Sequence, residues 1–149
     1  MIIKWDITIP QLSGDQVRKA YVYLPESYEE DPERRYPVMY LFDGHNVFFD
    51  EDATYGTSWG MYDYMEQSGK QLILVGIECN REGDGRLREY APVSFENSEL
   101  GRIKGEGKRY MHWLIKELKP YIDGNFRTLP DRENTLICGS SMGGLMALY

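Results

Sequence analysis

The sequence predicts an α/β fold, a mostly parallel sheet with helices on its faces, entered through an N-terminal antiparallel strand pair. Three observations predict it. Short, nearly all-apolar runs at 38–44, 71–78 and 135–139 suit strands buried on both faces. Helix-like segments separate these runs, which implies right-handed crossovers rather than hairpins. Two segments rich in β-branched and aromatic residues, 2–9 and 17–24, come first. The turn-rich PQLSGDQ joins them, so they read as an antiparallel pair.

The elements follow in order. After residue 24 the polar, proline-punctuated PESYEEDPERRYP is a surface connection. VMYLFDG (38–44) is a buried strand ended by Gly44. The next stretch begins as loop and becomes helical near Ser58, a cap for WGMYDYMEQS. QLILVGIE (71–78) is a second buried strand. The segment from Cys79 to Gly107 lacks sustained periodicity and reads as a long functional loop. In KRYMHWLIKELKPYI (108–122), Met111, Leu114, Ile115 and Leu118 form an apolar face at i, i+3, i+4 and i+7. Pro120 is expected to stop that helix. TLICG (135–139) is the third buried strand, and a further helix starts at about Met142.

Composition narrows the function. The 149 residues suffice for one domain with a sizeable core, residues 1–149, with no repeat. No apolar run approaches the roughly 18 residues of a membrane span. MIIKWDITIP is too short and too charged for a secretion signal. A net charge of −7 argues against a nucleic-acid partner. Cys79 and Cys138 lack metal-type spacing and read as two buried thiols of a cytoplasmic protein.

The chemistry concentrates at Gly139-Ser140-Ser141-Met142-Gly143, a G-x-S-x-G between a strand and a helix. Such an elbow places a serine on a sharp, strained turn above the carboxyl end of the sheet. Glycines two before and two after let strand and helix approach. Ser140 lacks this frame, because Cys138 stands two residues before it, so Ser141 is the candidate nucleophile. An oxyanion needs two donors. The backbone N–H of Met142 is one. The loop after the strand at 38–44, DGHN, offers the N–H of His45 as the other, with the Asn46 side chain a lesser candidate.

With YVYLPESY, YPVMYLFDGHNVF, SWG, RLREYAP and KELKPYIDGNFRTLPDRENTLICGSSMGGLMALY, the chain resembles a branch of the α/β-hydrolases from about Val17 to Tyr149. That branch holds enterochelin-type trilactone esterases, feruloyl and acetyl-sugar esterases and S-formylglutathione hydrolases. The resemblance implies a cofactor-free and metal-free Ser-His-Asp/Glu hydrolase of small-molecule carboxylic esters, with an enterochelin- or sugar-ester-like substrate favoured. It implies Ser141 as nucleophile, and His45 and Met142 as oxyanion donors. A catalytic domain of this kind usually runs beyond 200 residues.

In this fold the acid and histidine follow the serine along the chain. Of the chain's two histidines, His112 sits in the amphipathic segment and reads as a flank residue. His45, with Asp43 or Asp50 beside it, is the only local candidate for the base. The chain therefore reads as the N-terminal part of such a domain, ending after the elbow and inactive alone. Its last strand would be an apolar edge, ready to pair with a missing C-terminal half or with itself. Trp59, with Tyr55 and Tyr62, either lines a substrate cleft or packs between helix and sheet. Arg86 either meets an anionic or catecholate substrate or pairs with Asp84 or Glu89. Two other functions stand beside the esterase: a non-catalytic binding domain on the same scaffold, and an acyltransferase using the same serine.

Overall fold

The computed structural model describes residues 1–149. Strand β1 (Ile2–Thr8) pairs antiparallel with β2 (Val17–Tyr23), in register from Ile2 opposite Tyr23 to Thr8 opposite Val17. A single helical turn, α1 (Pro10–Ser13), lies between them, and another, α2 (Ser27–Glu30), follows. Then come β3 (Val38–Leu41), a 3₁₀ turn at Gly44–Asn46, α3 (Met61–Ser68) and β4 (Ile73–Ile77). The remaining elements are α4 (Gly85–Glu89), a small hairpin of β5 (Phe95–Asn97) and β6 (Gly101–Ile103), α5 (Gly107–Trp113), α6 (Lys119–Asn125), β7 (Thr135–Cys138) and α7 (Met142–Leu148).

The main sheet has the order β1-β2-β4-β3-β7, and only β2 runs against the others. This is an α/β-hydrolase sheet, mostly parallel, with the antiparallel pair at one edge. The chain passes from β3 to β4 on one side and returns to β7 on the other side of β3. The loops leaving β3 and β7 therefore part at their carboxyl ends, where open α/β sheets form their binding crevice.

Alternation along the strands sends side chains to two cores. On one face Val22, Val38, Tyr40, Phe42 and Val75 pack against Tyr110, Trp113, Leu114, Leu118 and Ile122 of the long helical segment. On the other, Tyr21, Tyr23, Leu41 and Leu74 pack against Val47, Phe48 and Met65 of α3. Strand β4 is buried throughout, whereas β7 stands at the sheet edge with Leu136 42% exposed.

Four local expectations are corrected. The helix expected near Ser58 starts at Met61, because Gly60 turns left-handed at φ 68° and redirects the chain first. Ser58 instead donates its N–H to Asp50 and accepts the N–H of Gly60. The stretch expected as one loop from Cys79 to Gly107 contains α4 and the β5–β6 hairpin, elements too short to show periodicity. Pro120 does not stop its helix, which continues to Asn125. A π-helical turn at Leu114–Leu118, in which the Lys119 N–H reaches back to the Leu114 carbonyl, precedes the proline. That shift in the hydrogen-bond ladder absorbs the N–H a proline lacks. The face that packs on the sheet carries Tyr110, Trp113, Leu114 and Leu118, and Ile115, expected on it, is exposed. Cys79 is buried as expected, but Cys138, on the edge strand, is only half-buried.

Candidate active site

The elbow is built locally. Ser141 sits at φ 56°, ψ −120°, a conformation that side-chain-bearing residues rarely hold. A Cβ on Gly139 would overlap the backbone of Gly143, and one on Gly143 would meet Phe42 Cβ at 3.0 Å. The two glycines thus let β7, α7 and the end of β3 close around the serine. The Gly143 N–H returns to the Ser140 carbonyl at 2.9 Å, and the Leu145 N–H to the Ser141 carbonyl at 3.1 Å. Met142 opens α7, so its N–H has no helical carbonyl to meet and joins the positive end of the helix.

Across the crevice lies the turn after β3. Asp43 adopts a left-handed φ of 56°, and Gly44–Asn46 form the 3₁₀ turn. A Cβ on Gly44 would overlap the backbone of Gly76, so glycine here lets the turn sit directly on β4. Turn hydrogen bonds engage the N–H groups of Asn46 and Val47, from Asp43 and Gly44 carbonyls at 2.9 and 3.2 Å. The His45 N–H takes no part in them. His45, Asn46, Asp43, Arg86, Cys79 and Ser141 share the lining of a cleft of about 300 Å³, with Tyr55 and Thr54 at its rim.

The side chains of this turn have partners that the sequence reading did not assign. Asp43, 2% exposed, accepts from Arg86 through both carboxylate oxygens, Nε at 2.8 Å and Nη2 at 2.8 Å. Arg86 therefore pairs neither with Asp84, which meets Arg88, nor with Glu89, which meets the buried Arg18. Hydrogen bonding to Asp43 raises the Arg86 pKa further. The Tyr90 hydroxyl accepts the Asp43 N–H at 2.9 Å, and burial keeps that phenol protonated. Arg86 and Tyr90 escaped sequence reading as partners of Asp43 because α4 was not recognised. Once RLREY is a helical turn, Arg86, Glu89 and Tyr90 share one face at i, i+3 and i+4.

The His45 ring is buried, and its Nε2 lies 3.0 Å from Thr54 Oγ1. Burial lowers its pKa, so the ring is neutral. Its partner is a hydroxyl rather than a carboxylate, and Asp50 is engaged with Ser58. His112 is exposed on α5. The Asn46 Oδ1 accepts the Thr54 N–H at 2.9 Å and braces the loop. Trp59 lies outside the cleft lining, 39% exposed, its backbone N–H donating to the Asn46 carbonyl. Tyr62 packs against Tyr23 and Phe49, whereas Tyr55 is exposed at the cleft.

Asp43, His45 and Cys79 place donor atoms within 4.8 Å of one another, close enough for a metal ion to span. The set is already satisfied in another way. Both Asp43 oxygens hold Arg86, whose charge opposes a cation, and burial pushes the Cys79 thiol up to about 12, away from the thiolate a metal needs. Electrostatically the cleft holds a neutralised ion pair, Asp43 with Arg86, and its lining turn carries the unengaged N–H of His45.

Residues 13–149 match the family described as "Putative esterase". The chain is 30% identical over 149 residues to an endo-1,4-β-xylanase/feruloyl esterase of Xylanibacter ruminicola, across 93% of this chain and 18% of that protein. It is 29% identical over 127 residues to an esterase of Mycobacterium tuberculosis, across 85% of this chain and 24% of that protein. Among solved structures it resembles an IroE-like serine hydrolase from Shewanella oneidensis, with TM-score 0.72 and 25% identity over 98% of this chain and 44% of that one. It also resembles a ferulic acid esterase from Anaeromyces mucronatus in complex with ferulic acid, with TM-score 0.56 and 26% identity over 96% of this chain and 49% of that one. The chain thus spans about a fifth of these curated relatives and about half of these solved neighbours.

Proposed function

The chain belongs to the esterase family that its residues 13–149 match, and from that membership and the cleft geometry we propose that it carries the nucleophile and oxyanion hole of a carboxylic-ester hydrolase. The observation that supports this most is the strained Ser141, at φ 56° and ψ −120°, lining one cleft with the His45 turn. Non-glycine strain of this kind persists where the surroundings over-determine it, and it clusters at working sites.

In this reading the Ser141 hydroxyl attacks the ester carbonyl carbon while its proton passes to a base. The carbonyl oxygen becomes an oxyanion and accepts the N–H groups of His45 and Met142. The carbon–alkoxide bond then breaks, and the alcohol leaves with that proton. Water resolves the acyl-serine by the reverse sequence. No metal or cofactor enters these steps.

Neither local histidine suits the base. The buried His45 ring is held by Thr54, and no carboxylate is free to orient it. His112 projects from the exposed side of α5. The base and its acid belong to the part of the relatives' length that this chain does not span. The same part pairs with the open β7 edge and covers α7, where Leu145 and Leu148 are 48% and 90% exposed. Residues 1–149 alone are therefore expected to turn over esters far more slowly than the full-length protein.

The substrate is a small ester of the enterochelin or sugar-ester kind. The xylanase/feruloyl esterase relative supports the sugar-ester kind, as does the exposed Tyr55 at the rim of the cleft. The Asn46 side chain lines the cleft but is engaged by the Thr54 N–H, and Trp59 lies outside the lining, so neither is assigned a substrate contact.

A fluorophosphonate probe tests the reading in the full-length protein. Covalent label on Ser141, located by mass spectrometry and lost in Ser141→Ala, is the expected result. A folded protein whose Ser141 stays unlabelled would overturn it in favour of a binding domain on the same scaffold.

A further inference from the structure

The carboxylate that begins the turn after β3 is locked by an arginine from a different loop, and that arginine is itself carried on a buried ion pair. Arg86 grips both oxygens of Asp43 and lies over the Tyr90 ring at 5.3 Å. Tyr90 in turn accepts the Asp43 N–H. Asp43 is thus held through its side chain and its backbone by neighbouring residues of one short element. Arg86 Nη2 also approaches the Ser140 carbonyl at 3.5 Å, on the elbow side of the cleft.

Helix α4 is anchored from below. Glu89, 1% exposed, accepts from Arg18 at 2.7 and 3.0 Å and from the Asn80 N–H at 3.1 Å. Arg18, 2% exposed on β2, also donates to Ser13 Oγ at 2.6 Å and to the Glu78 carbonyl at 3.3 Å. A buried pair of this kind contributes little net stability against an apolar replacement, but it specifies one geometry.

We infer that Arg86 and Asp43 are positioning residues for the oxyanion hole, aiming the His45 N–H at the developing charge, with the Arg18–Glu89 pair as their foundation. This rests on the hydrolase reading. A left-handed Asp43, at φ 56°, is intrinsically unfavourable. Arg86 supplies the only charged, two-pronged grip on its side chain; without it the turn is freer to relax, and relaxation rotates the peptide that carries the His45 N–H. Arg86 does this without touching the reacting atoms, so its loss should appear in the transition state more than in substrate binding.

The experiment uses the full-length protein with p-nitrophenyl acetate and a trifluoromethyl ketone that forms an oxyanion on Ser141. Arg86→Met, Asp43→Asn and the double variant are compared with the parent. Each is expected to lose about 100-fold in kcat with KM changed only a few-fold. Ketone affinity should fall in step with kcat/KM. Arg86→Lys, which keeps the charge but not the two-pronged grip, should rescue only part of the loss. The double variant removes both charges and so leaves none buried alone. If it recovers both thermal stability and kcat, the pair is merely structural and the inference fails. A parent-like kcat in Arg86→Met overturns it as well. An unlabelled, inactive parent overturns the hydrolase reading, and the positioning role with it.

Discussion

Two turns at the carboxyl end of the sheet carry the non-glycine residues with positive φ, Asp43 and Ser141, both at 56°. They are held there by different means. Around Ser141 the restraint is local: Gly139 and Gly143 flank it, and the hydrogen bonds that close the turn come from within six residues of chain. Around Asp43 the restraint is remote: Arg86 and Tyr90 stand 43 and 47 residues away. A strained residue can thus be written into a five-residue motif or assembled from distant side chains. The two solutions should fail differently when mutated.

The largest effect should come at the local turn. Ser141→Ala in the full-length protein is expected to lower kcat by on the order of 10⁴–10⁶-fold with little change in thermal stability, measured by ester hydrolysis and calorimetry. Comparable stability with unchanged turnover would break the comparison at its root. Gly139→Ala should act on folding instead. Its Cβ must displace the Gly143 backbone, so urea unfolding should show a loss of about 3 kcal/mol or more.

The remote restraint should fail through its charges. Arg18→Met strands a buried Glu89 and is expected to cost about 3–5 kcal/mol in the same unfolding assay, whereas Arg18→Met with Glu89→Leu should recover most of it. If the double variant stays as unstable as the single, packing rather than charge holds α4.

The smallest effect concerns pH. Burial lowers the His45 pKa below its unfolded value of about 6.5, so the unfolded chain binds the proton more readily. Stability contributed by the neutral, buried ring is present above about pH 6.5 and is lost as pH falls through and below that value. Unfolding free energies between about pH 7 and 5 should therefore slope downward, and His45→Gln should flatten that slope. An unchanged slope would mean the ring protonates alike in both states.

The same contrast explains what could be read before any coordinates. Strands 2–8, 17–23, 38–41, 73–77 and 135–138 lie within the segments their apolar and β-branched runs mark; the central strands do so because a strand buried on both faces must be apolar along its length, whereas 135–138, expected as a buried strand, is an edge with Leu136 exposed. The elbow was legible for a related reason: its glycines are required by contacts inside the motif. Helix α4 and the β5–β6 hairpin were not, since three to five residues carry too little periodicity to detect. The π-helical turn before Pro120 was also hidden, because a one-residue shift in the hydrogen-bond ladder leaves composition untouched. For the candidate site, Ser141, Met142 and the His45 turn were nameable in advance, whereas the partner of Arg86 was not.

From its residues alone, this chain determined an α/β sheet, a strand–serine–helix elbow and membership of an esterase lineage, because each depends on short-range sterics and on which segments must leave water. Only the tertiary structure decided that Arg86 clamps Asp43, that Arg18 and Glu89 lie buried beneath it, and that the Thr54 hydroxyl holds the His45 ring. Arg86 and Asp43 come from separate loops and Arg18 from a distant strand, and charge complementarity by itself does not choose among Asp43, Asp84 and Glu89. The crossovers of the sheet make that choice, by bringing the loops after β3 and β4 to the same end.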